Sequence, residues 1–192
     1  MSELTFREID HTYWLGSRRV FGVTEIFHDN RLIKGEDFFT EFGRERGHMV
    51  HLACDLLAWD NLDWDSLDPM IYNYVLSCAR YFEHVKAIPR RTEHRAYHPL
   101  LYYAGTWDWD GADFQRDDLL LDYKSGGEQD WHKWQTAAYQ ELAIANRIPI
   151  EQRGTLYLQK DGSMAKLKLH RDRNDFKIFV SALNMTMTRA AA

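Results

Sequence analysis

Two short stretches of this chain hold residue types that can do chemistry together. Gly105-Thr106-Trp107-Asp108 ends on a carboxylate, and Leu119-Leu120-Leu121-Asp122-Tyr123-Lys124-Ser125-Gly126 brings a second carboxylate and then a lysine. Both stretches read as strands joined by a short turn, so Asp108 and Asp122 can meet. The period of two puts Asp122 and Lys124 on one strand face. Oxygen ligands converging on one point suit Mg²⁺ or Mn²⁺. An ammonium beside them can neutralise charge developing on a transferring phosphate, or hold the attacking water. A lone Asp-x-Lys is usually a salt-bridged surface pair. Here it follows three leucines, the mark of a strand covered on both faces. At the end of such a strand a charge is costly unless it is paired or meets a cation.

The elements that must position these residues follow from periodicity and turn chemistry. Leu4 to Phe21 is rich in strand formers, with a hairpin over Trp14–Phe21 turning near Gly16-Ser17, and Thr24 is a candidate N-cap for a following helix. Apolar positions at mixed three and four spacing predict a helix from Glu36 to Trp59. The acidic segment Asp60–Asp68 breaks it, and Pro69 suits the first turn of a second helix to about Val85. Strands follow over Thr92–His98, Leu100–Trp109 with a continuation to Phe114, and Leu119–Lys124 after the turn at 115–118. Trp131–Asn146 has helical periodicity. Gly154–Gln159 and Met164–Leu169 form a hairpin around Asp161-Gly162, and a last helix covers about Arg173 to Thr188. The order predicts a mixed α/β fold.

Composition narrows the classes. A length of 192 residues suits one domain over 1–192. Cys54 and Cys78 are too few for a disulfide framework, a four-cysteine zinc site or an iron–sulfur cluster. No apolar run approaches a membrane span, and the first residues lack a signal pattern, so a reducing, cytoplasmic setting without membrane is expected. No phosphate-binding Gly-x-x-x-x-Gly-Lys loop occurs. A net charge of -5 argues, taken alone, against a nucleic-acid partner. Several of those acids belong to the candidate metal site, however, and a divalent ion would cancel two of them locally.

Five motifs in order then resemble the PD-(D/E)XK nuclease superfamily, in the RecB-like branch that includes small phage exonucleases. They are Gly47-His48-Met49-Val50-His51, Glu93, Gly105 to Asp108, Asp122-Tyr123-Lys124-Ser125-Gly126, and Gln135-Thr136-Ala137-Ala138-Tyr139. His11-Thr12-Tyr13-Trp14 and Gly22 to Ile26 also resemble the openings of phage members, so the likeness spans nearly the whole chain. It implies a restriction-endonuclease-like core: a mixed central β-sheet flanked by helices, with an N-terminal hairpin and helical segment. It implies a metal-dependent deoxyribonuclease, as an exonuclease in phage-type recombination or DNA processing. One or two Mg²⁺ or Mn²⁺ ions would sit on His51, Asp108, Asp122 and the Tyr123 carbonyl. Lys124, Glu93 and Gln135 would join the two aspartates in catalysis, and Gln135, Tyr139, Ser125, Arg44 and Arg91 would contact DNA. A single-strand annealing or recombination protein is the implied partner. A structure-selective endonuclease and a non-cleaving DNA-end-binding protein remain open.

Blander readings stand beside several of these residues. His51 on its own would be a satisfied core histidine. Glu93 either reaches Lys124 or the metal, or is a strand-edge carboxylate. Gln135 and Tyr139, four apart, share a polar helix face, while His132 beside them can be solvated. Alternation places Asp110 on the face of Asp108 as the alternative ligand and turns Trp107 and Trp109 away, as core rather than as a stacking platform. Asp113 reads as a turn residue. The basic stretch Arg80, Lys86, Arg90, Arg91 and Arg95 either grips phosphate or is solvated surface.

Overall fold

The computed structural model describes residues 3–33 and 41–191. Three short strands open the chain, β1 (Leu4–Arg7), β2 (Thr12–Leu15) and β3 (Arg18–Gly22), followed by α1 (Val23–Asp29). The expected turn at Gly16 is there, with φ 61°, but the hairpin gains a third strand at its start. Gly22, not Thr24, caps α1: the Glu25 carboxylate accepts the Gly22 N–H at 3.1 Å. Next come α2 (Glu41–Ala58), a 3₁₀ turn at Trp64–Ser66, and α3 (Pro69–Val85). Residues 36–40 of the expected first long helix lie outside the described residues. Asp68 accepts the Met70 N–H and Pro69 fills the first turn, so α3 starts where proline predicts.

The remaining elements are β4 (Ile88–Tyr97), β5 (Tyr103–Asp113), β6 (Arg116–Lys124), α4 (Asp130–Ala145), β7 (Gln152–Tyr157), β8 (Lys166–His170) and α5 (Asn174–Ala190). β4 starts four residues earlier than the sequence suggests. The β5–β6 turn is also tighter, because Asp113 accepts both the Gln115 N–H and the Arg116 guanidinium. Asp161-Gly162 turns the chain inside a longer connection between β7 and β8. The described strands form one mixed sheet in the order β1-β2-β3-β5-β6-β7-β8, with β4 on β5. Helices cover both faces. Phe27, Tyr103, Trp107, Leu142 and Phe179 pack under α1, α4 and α5, and Val50, Cys54, Val75, Cys78, Trp109 and Tyr123 pack under α2 and α3. No helix among the described residues is long and apolar enough to cross a membrane.

β5 organises the sheet. One of its edges pairs antiparallel with β4 from Ala104 to Ala112. The other edge is divided, with β3 taking Tyr103–Ala104 in parallel and β6 taking Trp109–Asp113 antiparallel. On that edge, residues 105–108 pair with neither neighbour, and the strands part there. The β5–β6 ladder ends at Trp109↔Leu121, one step short of Asp108 and Asp122.

The alternation of faces slips once at the same level. Tyr103 and Trp107 belong to the α4 side, yet Trp109 lies in the α2–α3 core with its ring 5.7 Å from Phe82. The two tryptophans are both fully buried core, as expected, but on opposite sides of the sheet. Across the ladder, Glu93 has φ 45°, a left-handed conformation that a non-glycine residue rarely adopts inside a strand. The paired irregularity turns Glu93 and Asp108 together toward α2, and sends Asp110 to the other side.

Candidate active site

The candidate residues gather where the strands part. Asp108 reaches from β5 to His51 on α2, with Oδ1 3.0 Å from Nδ1, and its other oxygen accepts the backbone N–H of Tyr123. Glu93 joins from β4. Among the described residues, His51, Glu93 and Asp108 offer ligand atoms that all lie within 4.8 Å of one another. Across the gap, Asp122 Oδ2 lies 2.6 Å from Lys124 Nζ. This ion pair gives the buried carboxylate a cationic neighbour on the α4 side. Lys124 lies over the Trp131 ring, 4.9 Å from its centroid. A strand residue sends its N–H and C=O to the same edge. The Tyr123 carbonyl therefore faces the gap, whereas the neighbouring Lys124 carbonyl accepts Leu158 N–H on the β7 side.

α4 closes the other side. Gln135 and Tyr139 are buried on one helix face, and Gln135 Nε2 donates to the Tyr139 hydroxyl at 3.0 Å. Gln135 Oε1 is buried without a partner. The helix comes this close because position 105 is glycine. A Cβ there would stand 2.8 Å from the Tyr139 ring and 3.1 Å from Leu142 and Val23. The glycine of the Gly-x-x-Asp motif thus sets how near α4 lies to the carboxylates.

Charge is crowded here. Burial raises Asp122 to about 6, with the Asp108 charge adding and Lys124 opposing. Glu93 is pushed up to about 8, first by burial and then by Asp108. Burial would raise Asp108 too, but the His51 charge and hydrogen bond, Lys124 and the Tyr123 N–H outweigh it and hold it below the usual carboxylate range. Burial alone would lower His51, and the Asp108 partnership overcomes this to raise it.

These placements sort the expected residues. His51, Glu93 and Asp108 meet, and the Asp122–Lys124 pair faces the α4 side of the same opening. Asp122 is not one of the three that converge within 4.8 Å, whereas Glu93 is. Asp110 does not share the face of Asp108: it takes two hydrogen bonds from Arg91 and one from the Trp107 indole. Arg91 is therefore committed to Asp110 and not to a phosphate. His132 is buried, with Nδ1 taking Gln129 N–H at 3.3 Å and meeting the Tyr157 hydroxyl at 3.0 Å, so it is no solvated helix residue. Ser125 is half-buried just beyond β6, and Arg44 is exposed on α2, seven positions before His51. Asp113 is the turn residue it was expected to be.

Two contributors went unassigned in the sequence. The Tyr13 hydroxyl bonds Thr106 Oγ1 at 2.8 Å on the unpaired stretch of β5, and Gln135 Nε2 approaches Thr24 Oγ1 at 3.4 Å. Their signal was their place in the two N-terminal motifs. A cleft of about 670 Å³ between α4, α5 and β8 contains none of the site residues. The Arg153 guanidinium at its wall is consumed by Asp175, the Lys133 and Asp172 carbonyls and the Thr136 hydroxyl.

No family model matches the chain, and no curated protein matches it. Two solved structures of the alkaline exonuclease LHK-Exo are similar to it. The complex with dAMP is 13% identical with a TM-score of 0.43, covering 88% of this chain and 87% of that one. The structure of LHK-Exo from Laribacter hongkongensis is 11% identical with a TM-score of 0.42, covering 90% and 93%. Likeness at this level transfers no residue roles.

Proposed function

We propose that this chain is a metal-dependent deoxyribonuclease, an exonuclease of phage-type recombination or DNA processing, working as one cytoplasmic domain. The observation that carries the reading is the meeting of His51, Glu93 and Asp108 where β5 and β6 part, beside the Asp122–Lys124 pair. The residues suit a hard divalent cation. The donors are carboxylate and imidazole, and burial and crowding of Glu93 and Asp122 disfavour their charged forms, which a cation would restore. Mg²⁺ or Mn²⁺ held by Asp108, Asp122, Glu93, His51 and the Tyr123 carbonyl would supply Lewis acidity and a more acidic water.

The chain's own groups do the rest. Asp108 is kept ionised by His51 and the Tyr123 N–H. Lys124, seated on Trp131 and held by Asp122, directs its N–H donors at the phosphate oxygens and the attacking water. Gln135 Oε1, fixed by the bond from its own amide to Tyr139, accepts a hydrogen bond from that water and orients it. The test is cleavage of linear duplex and single-stranded DNA with Mg²⁺ or Mn²⁺, wild type against Asp122→Ala and Lys124→Ala. Degradation that both variants abolish is expected, while equal activity in all three proteins would sink the reading. A covalently closed circle, expected to survive, separates an end-dependent enzyme from one that cuts internally.

A further inference from the structure

The face of β4 that carries Glu93 continues through Arg95 to Tyr97, and the N-terminal strands curl against it. Arg95 lies over the Phe6 ring at 5.1 Å and makes only a long, solvent-exposed ion pair, 4.0 Å, with Glu8 among the described residues. Arg18 lies over Tyr102 at 5.0 Å and makes no hydrogen bond or ion pair among the described residues. Tyr102 is 44% exposed and its ring is 6.3 Å from that of Tyr97. Most other arginines in the sheet are spent on carboxylates, as with Arg19 on Glu25, Arg90 on Asp118, Arg91 on Asp110 and Arg153 on Asp175. A guanidinium stacked on a ring is held in place by its face, so its in-plane N–H donors stay available. Both guanidinia, and the exposed aromatic surface of Tyr102, lie on the sheet face that carries Glu93. From Glu93 to Tyr97 that face extends roughly 13 Å at the usual strand rise.

We propose that this face is a track for single-stranded nucleic acid, with Arg95 and Arg18 taking successive phosphates and Tyr102 stacking an unpaired base beside the candidate active site. The proposal rests on the nuclease reading only for what lies at the end of the track. Cation and ring in alternation are the chemistry that single strands select, because every base has a stackable face and every linkage a negative charge. The track also explains how a chain of net charge -5 engages DNA, through a local positive stripe rather than a basic surface. The hairpin supplies its own control. Arg7 lies over Trp14 at 4.6 Å, equally stacked, but register places that pair on the opposite face of β1 and β2.

The test is fluorescence anisotropy with labelled oligothymidylates of 4, 8 and 12 nucleotides, in chelator so that nothing is cut. Wild-type affinity is expected to rise with length. Arg95→Gln and Arg18→Gln should each weaken binding of the 12-mer about five- to tenfold at 0.1 M salt and lower the salt slope by about 0.7. Tyr102→Leu should weaken it about fivefold with the slope unchanged. Arg7→Gln should bind as wild type does. Thermal unfolding checks each fold, and Arg95→Lys, which keeps the charge and loses the planar fork, should fall between wild type and Arg95→Gln. Unchanged affinity in the Arg95 and Arg18 variants overturns the track, as does an equal loss in Arg7→Gln or an equal preference for duplex of the same length. Cleavage is scored separately. An inactive wild type with arginine-dependent binding overturns the nuclease reading and keeps the track, and an active enzyme indifferent to Arg95 and Arg18 does the reverse.

Discussion

Asp110 and Asp108 lie two residues apart on β5, both buried and both hydrogen-bonded, but the charges around them differ. Asp110 sits where β4, β5 and β6 are all paired, and three donors from Arg91 and Trp107 satisfy its two oxygens. Asp108 sits where the strands part, among Glu93 and Asp122, whose carboxyls resist ionising. A buried charge with its full set of donors holds a fold together, and breaking it is costly. Around Asp108 burial works against ionisation of the neighbouring carboxyls, so their charges cost stability rather than add to it. Substitution separates the two. Asp110→Ala should cost about 3 kcal/mol of stability, the low end for a buried pair because Arg91 keeps some access to water. Asp122→Asn should cost clearly less than Asp110→Ala, since the lost Lys124 pairing is offset by removal of a charge that burial disfavours, while cleavage falls by at least about 10²–10³-fold. Denaturant unfolding and DNA cleavage on both variants check this. Destabilisation by Asp122→Asn as large as that by Asp110→Ala would erase the distinction.

Two histidines repeat the contrast on opposite sides of the sheet. His51 is raised by its bond to Asp108, whereas burial, aided by the Lys124 and His170 charges, takes His132 down to about 3. Gln129 N–H points at His132 Nδ1, so a proton on that nitrogen would face a donor. The folded-state value lies below the ordinary one near 6.5, so this contribution to stability is complete above that pH and is lost as pH falls through it toward 3. Between pH 7.5 and 5.5 the loss should be about 1 kcal/mol. His132→Asn, whose Oδ1 can replace Nδ1 as acceptor, should unfold with a correspondingly flatter pH dependence in thermal melts at several pH values. An unchanged slope would show that His132 protonates freely in the folded protein.

The contrast was half legible in the amino-acid sequence. Asp108, Asp122 and Lys124 stood out because strand, turn and charge signals coincide over 105–126, and a mixed α/β fold followed from the order of elements. What escaped was non-local. The slip of alternation between Asp108 and Trp109 depends on Glu93 at φ 45° across the ladder, and no glycine or proline announces it. Once that slip is missed, Asp110 looks like a ligand, Arg91 looks free for phosphate, and the two tryptophans appear to share a face. His132 reads as solvated because its cover, Tyr157, comes from a strand 25 residues away. The third N-terminal strand was hidden by its brevity, four residues paired only through β2.

The smallest expected effect probes whether space, like charge, is reserved at the open end of the sheet. Gly47 lies one turn before His51 in α2, and no atom of the described residues stands within 4 Å of where its Cβ would be. Packing therefore gives no reason for glycine, unlike Gly105, where the Tyr139 ring demands it. Glycine inside a helix costs about 1 kcal/mol relative to alanine, so Gly47→Ala should stabilise the fold by up to that amount. Residues four apart share a helix face, which puts the empty space over His51. If that space admits a DNA phosphate, the same methyl should lower cleavage several-fold, chiefly by raising KM. A higher melting temperature with a raised KM would place Gly47 with the parted strands as a position kept for the ligand. A higher melting temperature with unchanged kinetics would mean that the substrate reaches Asp108 from the β4 side alone, along Arg95.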